Sequence, residues 1–250
     1  MPLEPSHTQT KTAASAFSTT HWSVVLGAGY GSESAAQAAL ERLCRTYWYP
    51  LYAYLRRRGY GHEDAEDLTQ GFLIQLLERK SFTHVERNRG RFRSFLLAGL
   101  NYYMSDQRDR ATALKRGAGK SAMVFDAQTA EGRYRLEPMD DDSPDRVFER
   151  RWALALLDQV LQRLEQEFLE TSRGGLFERL QVFLVAGRGE ASYAEAAAAL
   201  GMSQEAVRKA VQRLRLRYQE LFREEIAHTV ANPEEVEEEL RHLCDIITTR

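Results

Sequence analysis

The sequence predicts an all-α protein: two small helical domains joined by a flexible acidic linker, the second containing a helix-turn-helix. Three observations carry this. Apolar residues recur at spacings of three and four along most of the 250-residue chain, and no stretch shows the period of two expected of a half-buried strand. Residues 117–145 interrupt the pattern with Gly117, Gly119, Gly132, Pro138 and Pro144 and with the acidic group Glu137, Asp140, Asp141, Asp142 and Asp145. That is linker composition, too short for a further domain. Towards the C-terminus, Ser192-Tyr193-Ala194-Glu195 and Leu200-Gly201-Met202-Ser203 punctuate two helical stretches with caps and a glycine turn.

Residues 1–20 are rich in Ser, Thr, Ala and Pro and predict a disordered tail. Leu40, Leu43, Tyr47, Leu51 and Tyr54 predict a helix over 34–58, ended by Gly59 and Gly61. A second helix is expected over 62–79. A third, over 91–114, carries Phe92, Phe95, Leu96, Leu100 and Tyr103. These make a first domain over 21–116. After the linker, helices are expected over 145–170, 176–186, 193–200 and 204–225, giving a second domain over 146–226. The extension 227–250 holds a last helix over 233–247. Asn232 is its expected N-cap, Pro233 its first residue, and Glu234 and Glu235 lie on its positive dipole end. Its stripe of Val236, Leu240, Leu243 and Ile247 could pad the second domain or bind a regulator; padding is the favoured expectation, since so short a helix must bury its stripe somewhere.

Hydrophobic residues make up 43% of the chain, enough for packed cores, and the net charge of −2 excludes a uniformly basic coat. Cys44 and Cys244 form neither a CxxC motif nor a Cys/His cluster, so no zinc site or disulfide framework is expected. No apolar run approaches the roughly 20 residues of a membrane helix. The first residues lack the basic and apolar regions of a secretory signal, and a cytoplasmic location is the expectation. No nucleophile–base set, phosphate loop or metal cluster points to an enzyme, and no cofactor is expected.

Charge is segregated along the chain. Residues 61–72 read GHEDAEDLTQGF. With Leu68 at the centre of the core face, Ala65, Phe72 and Leu76 share that face, and Glu63, Glu66, Asp67 and Gln70 lie opposite. Leu73, Ile74 and Leu77 continue the opposite side, giving a face acidic at one end and apolar at the other. Such a face fits a protein partner with a basic, partly apolar surface. Acids in a first helical turn also stabilise the dipole, which accounts for Glu63 and Asp64 but not for exposed Leu73 and Ile74. His62 and Glu66 have the i, i+4 spacing of metal ligands, without a second pair to complete a site.

The third helix is basic at both ends. Between residues 87 and 120 stand nine basic residues, Arg91, Arg93, Arg108 and Arg110 among them, against Asp106 and Asp109. Aromatics interleaved with them, Phe92, Phe95, Tyr102 and Tyr103, suit single-stranded or melted nucleic acid, where bases stack on rings. Phe92 and Phe95 at helical spacing fit a core better than a base platform, and Tyr102 and Tyr103 cannot both face a core, which leaves one of them for the surface.

In the second domain, Ser192 and Glu195 fit a capping box, Gly201 a left-handed turn, Met202 a corner plug and Ser203 the cap of the next helix. That helix puts Val207, Val211, Leu214, Tyr218 and Leu221 on one stripe and Arg208, Lys209, Gln212, Arg213 and Arg215 mostly off it. This is the order of a DNA-reading helix-turn-helix, in which Arg and Gln reach base edges while Ser203 and the first backbone N–H groups hold phosphate. A helical hairpin with a solvated basic face is the plainer alternative.

Together these stretches resemble bacterial sigma-70-type RNA polymerase sigma factors, most of all the small two-domain extracytoplasmic-function (ECF) group. Asp64-Ala65-Glu66-Asp67-Leu68-Thr69-Gln70 with Phe72 resembles the family's region 2.2. The resemblance implies that Asp64, Glu66, Asp67, Gln70, Leu73 and Ile74 contact the clamp helices of the polymerase β′ subunit. Phe92-Arg93-Ser94-Phe95-Leu96 with Asn101, Asp106 and Arg108 resembles regions 2.3 and 2.4, implying contact of Arg91, Arg93, Asn101, Tyr102, Arg108 and Arg110 with a melted minus-ten element. Ser192 through Arg208 resembles region 4.2. That implies minus-thirty-five recognition by Ser203, Gln204, Arg208, Lys209, Gln212, Arg213 and Arg215, with the β flap as a further contact. An anti-sigma factor or other regulator is a further partner class. The chain departs from the family at Ala196, where a branched apolar residue is usual, and at Ala210, often arginine. A stand-alone helix-turn-helix regulator with a sensing or dimerising first domain is the competing interpretation.

Overall fold

A computed structural model describes residues 33–78, 91–113, 127–135, 142–185 and 192–248. Among these every regular element is helical. They are α1 (Glu33–Arg57), α2 (His62–Glu78), α3 (Phe92–Ala113), α4 (Ala127–Arg135), α5 (Pro144–Glu170), α6 (Gly174–Leu180), α7 (Val182–Val185), α8 (Tyr193–Leu200) and α9 (Gln204–Ala227). A 3-10 turn (Pro233–Glu235) leads into α10 (Val236–Thr248). The expected tail over 1–20 and the loop carrying Arg87 and Arg89 lie outside the described residues, as do the side chains of Leu77 and Arg110. No described helix is long and apolar enough to cross a membrane.

The chain divides into two compact units, Met1–Ala155 with Ile226–Arg250, and Leu156–Glu225. In the first, α1 packs on α2, and α3 on α2. Leu43, Tyr47, Leu51 and Leu55 of α1, Ala65, Phe72 and Leu76 of α2, and Phe92, Leu96 and Leu100 of α3 are buried. α2 and α3 approach closely because Gly71 and Gly99 face aromatic rings. A Cβ on Gly99 would stand 3.2 Å from the Phe72 ring, and one on Gly71 would overlap the Tyr103 hydroxyl. Pro50 lies inside α1, where it removes one helical donor.

Three expectations are corrected here. Residues 117–145 are not free of regular structure, because Ala127–Arg135 is helical and docks on α1. Buried Glu131 accepts from Tyr52 and Arg56, Arg56 lies 5.0 Å over the Tyr134 ring, and Arg133 lies 5.0 Å over Tyr49. The last helix, expected to pad the second domain, belongs instead to the first unit: Glu238 and Glu239 meet Arg91 and Arg93, and His242 meets Glu149, which falls in that unit although the expected second domain began at 146. Its buried residues are Glu239, Leu243 and Ile246, while Ile247 is 38% exposed. Asn232 does not cap with its side chain. The Glu235 carboxylate instead accepts from the Ala231 N–H and the Asn232 amide.

In the second unit Val160 and Leu164 of α5, Phe177 and Leu180 of α6, Phe183 of α7, Ala197 of α8 and Val207, Val211, Leu214 and Leu221 of α9 form one core. The expected helix 176–186 is two shorter ones, α6 and α7, separated at Gln181. α5 ends with Ser172 in the left-handed region (φ 56°), its neighbour Arg173 donating back to the Phe168 carbonyl at 2.8 Å.

Candidate functional site

The α8–α9 pair is set by local chemistry. Ser192 Oγ accepts from the Glu195 N–H, closing the first turn of α8. Gly201 ends α8 at φ 62°, ψ 31°, where a Cβ would be strained, and the Met202 N–H returns to the Ala197 carbonyl at 3.0 Å. Ser203 Oγ then accepts from the Ala206 N–H at 3.2 Å and starts α9. Met202 packs on the core, as expected of a corner plug.

On α9 the expected residues are not equivalent. Arg208, Gln212 and Arg215 share one stripe, beside a groove of about 360 Å³ that Tyr193, Leu216 and Gln219 also line. The Arg208 guanidinium lies 5.6 Å from the Tyr193 ring, which itself stacks on Phe183 at 4.7 Å. Arg215 donates twice to the Phe183 carbonyl, at 2.8 and 3.2 Å, so its orientation is fixed by the end of α7. Gln204 is exposed at the start of α9. Lys209 pairs with Glu205 at 2.8 Å. Arg213 points elsewhere, into a cavity of about 460 Å³ shared with Glu167, Phe168, Arg173, Leu176 and Arg217. There Arg217 grips Glu167 at 2.7 and 2.8 Å, which holds the Glu167 carboxyl below its usual range and raises Arg217. Burial pushes the Tyr218 hydroxyl of the same helix up to about 12, and it stays protonated.

In the first unit, the exposed face of α3 carries Asn101, Tyr102 and Arg108, with Tyr102 71% exposed. Sequence reasoning missed what completes this face. Arg58, at the end of α1, donates to both the Tyr54 hydroxyl and the Asn101 carbonyl oxygen, and lies 5.5 Å over the Tyr54 ring. Tyr54 donates to Asn101 at 3.1 Å. Arg108 donates to the Tyr60 hydroxyl at 2.6 Å and lies 5.8 Å over its ring. The YLRRRGY run at 54–60 was the available signal: it places arginines beside tyrosines at the end of a helix.

Arg93 is a correction. It is 4% exposed, pairs with Glu239 at 2.8 Å and with Glu149, and lies 5.2 Å over the Trp152 ring. On the helical wheel Arg93 falls between Leu96 and Met104, on the packed side, so its charge is consumed internally. Arg91, at the mouth of the same cluster, pairs with Glu238 at 2.6 Å and with Glu239 at 2.7 Å.

On α2, Leu73 is also a correction: it is 2% exposed. The core face is not centred on Leu68 but lies about 80° round the helix, near Thr69 and Leu76, which leaves Leu68 half-buried and draws Leu73 inward. Asp64 and Asp67 are exposed and Ile74 is half-buried on the outer side, while Glu66 accepts from Gln70 at 2.9 Å. An acid face with a smaller apolar end therefore remains. His62 is engaged by Tyr52, at 2.8 Å from its hydroxyl. That hydroxyl gives its proton to Glu131, so His62 Nδ1 is left as the donor.

Comparisons with protein-family models, with curated proteins and with solved structures return no match.

Proposed function

We propose that the chain is a sigma factor of the ECF kind, which binds core RNA polymerase and directs it to promoters without catalysis of its own. The observation that carries this reading is the α8–Gly201–α9 arrangement. A short capped helix, a left-handed glycine and a second capped helix present Gln204, Arg208, Gln212 and Arg215 on one exposed side. These parts fit a helix-turn-helix whose second helix enters a major groove. In this reading Arg208 and Gln212 meet base edges of the minus-thirty-five element, Ser203 and Lys209 lie nearer phosphate, and Arg215 braces the stripe against Phe183.

The second support is the basic–aromatic face of the first unit. Tyr102 offers a stacking surface, and Arg58, Asn101, Tyr60 and Arg108 surround it with donors, which suits the unpaired bases of a minus-ten element. The third is the acid face of α2. Asp64, Glu66, Asp67, Gln70 and Ile74 would meet the β′ clamp helices, and the cavity beside Arg213, where Phe168, Leu176 and Leu180 lie among charged side chains, would take the β flap. Two DNA-binding domains joined through 117–145 and a cytoplasmic location belong to the same reading.

Co-purification with core RNA polymerase tests it. The wild-type chain is expected to bind, and Glu66→Ala combined with Asp67→Ala to bind weakly. Failure of the wild type to bind core enzyme rejects the reading in favour of a stand-alone regulator. Equal binding of both chains rejects the assignment of the contact.

A further inference from the structure

The α3 N-terminus, where the proposed function expects DNA, is already occupied. The Phe92 N–H donates to the carbonyl of Thr229 at 3.2 Å. Arg91 is held by two carboxylates, Glu238 at 2.6 Å and Glu239 at 2.7 Å. Arg93 is gripped by Glu239 at 2.8 and 3.3 Å and also by Glu149. Carboxylates arranged around arginine forks in this way satisfy the same donors that a phosphate would.

We propose that residues 226–248 are an internal clasp: Glu238 and Glu239 stand in for phosphates on Arg91, and melted DNA must displace α10 to reach it. This rests on the sigma-factor reading of α3. In the clasp Arg93 is the anchor and Arg91 the residue withheld. The contact is built to open. Arg93 keeps Glu149 and its seat over Trp152 when Glu239 leaves, so no buried charge is stranded on α3. Glu239 and Glu238 gain water. The outer pair is already wet, with Glu238 63% exposed. α10 holds by Leu243 and Ile246 beside Glu239, with Val236 and Leu240 half-buried and His242 3.3 Å from Glu149, while Glu237, Glu238, Arg241 and Asp245 face outward. Competition between a tethered carboxylate pair and DNA lowers the affinity of the free chain for single strands. It leaves the polymerase complex, where many further DNA contacts act together, able to open it.

Hydrogen exchange of the full wild-type chain tests this directly. The amides of residues 236–248 are compared in the free chain and in its complex with core polymerase on a promoter carrying a pre-melted bubble. About tenfold faster exchange on complex formation is expected. A complex that forms with these amides equally or better protected overturns the clasp and leaves the function standing. Absence of any complex overturns both. As a second arm, Glu238→Gln with Glu239→Gln should bind a labelled single-stranded oligonucleotide about tenfold more tightly than wild type, and adding Arg91→Gln should cancel that gain. An unchanged affinity in a variant with native helical content, or a gain that survives Arg91→Gln, also overturns it. If the double variant does not fold, the wild-type exchange result decides.

Discussion

The Tyr52 hydroxyl donates to Oε2 of Glu131 across 2.6 Å, and both side chains are buried, so a residue of the expected linker is fastened to the C-terminal part of α1. Burial pushes the Glu131 carboxyl up, but the Tyr52 hydrogen bond, Arg135 and Arg56 outweigh it and leave the group below 4.5. The folded value lies below the unfolded one. The stabilisation is therefore present above about pH 4.5 and is lost as pH falls towards the folded value. Thermal unfolding followed from pH 7 to pH 3 should show wild type losing more stability over the acid limb than Glu131→Gln. Parallel curves would contradict this. Tyr52→Phe, which leaves Glu131 short of a donor, should cost roughly 1–3 kcal/mol at neutral pH.

Leu73 and Ile74 separate folding from binding on α2. Leu73→Ala opens a cavity beneath the helix and should destabilise the chain by roughly 2–4 kcal/mol in chemical denaturation. Ile74→Ala should cost well under half of that and should instead weaken co-purification with core polymerase. Unfolding midpoints and pull-downs on the two variants decide. Equal losses of stability would place both side chains in the core and remove the apolar end of the proposed contact.

These two residues also mark how far the sequence can be read. Helix boundaries were legible to within about two residues for most elements, because caps and glycines are local signals: Ser192, Gly201 and Ser203 each act as their types require. The orientation of α2 was not legible, because Leu68 and Leu73 are equally apolar and only the neighbours decide which is covered. Arg93 was misread for a related reason. Charge marks an exposed residue unless partners arrive from elsewhere, and its partners Glu149 and Glu239 lie 56 and 146 positions away. Helix Ala127–Arg135 was hidden by a window rich in Gly, Pro and Asp, although Glu131, Tyr134 and Arg135 carry its docking contacts. The face around Tyr102 was half legible: α3 contributed its share, but Arg58 and Tyr60 arrive from a different helix end.

Ser172 occupies a left-handed conformation, φ 56°, at the end of α5, a position that glycine fills without steric cost. Ser172→Gly should stabilise the second unit by about 0.5–1 kcal/mol, read as a raised melting temperature with unchanged denaturant slope. Its hydroxyl is exposed, so no packing is lost in exchange. A fall in melting temperature would show that the strain is relieved by contacts of the serine itself.

Tyr102 and Arg58 test the proposed single-strand contact. Tyr102→Ala should weaken binding of the polymerase complex to a melted minus-ten strand by roughly 1–3 kcal/mol, with little change for duplex upstream DNA. The exposed ring makes this change neutral for stability. Arg58→Ala should act in the same direction and also loosen Asn101, whose carbonyl oxygen it holds. Binding measured on bubble and duplex templates separates the effects. Uniform loss on both templates would mean that the face does not meet unpaired bases.

Arg208 and Arg213 lie five residues apart on α9 but line different hollows, one beside Tyr193 and the other beside Glu167. If α9 enters a major groove by the Gln204–Arg208–Gln212 side, the two arginines cannot both read bases. Arg208→Ala should then cost roughly 1–3 kcal/mol against the preferred upstream sequence and relax discrimination at one base pair. Arg213→Ala should leave that discrimination intact, and any loss should be uniform across sequences and reduced at high salt. Binding of a panel of single-base variants at two salt concentrations measures both. The reverse pattern, with specificity carried by Arg213, would turn α9 by more than a third of a circle in the groove. It would put the Tyr193 side on the phosphate backbone instead.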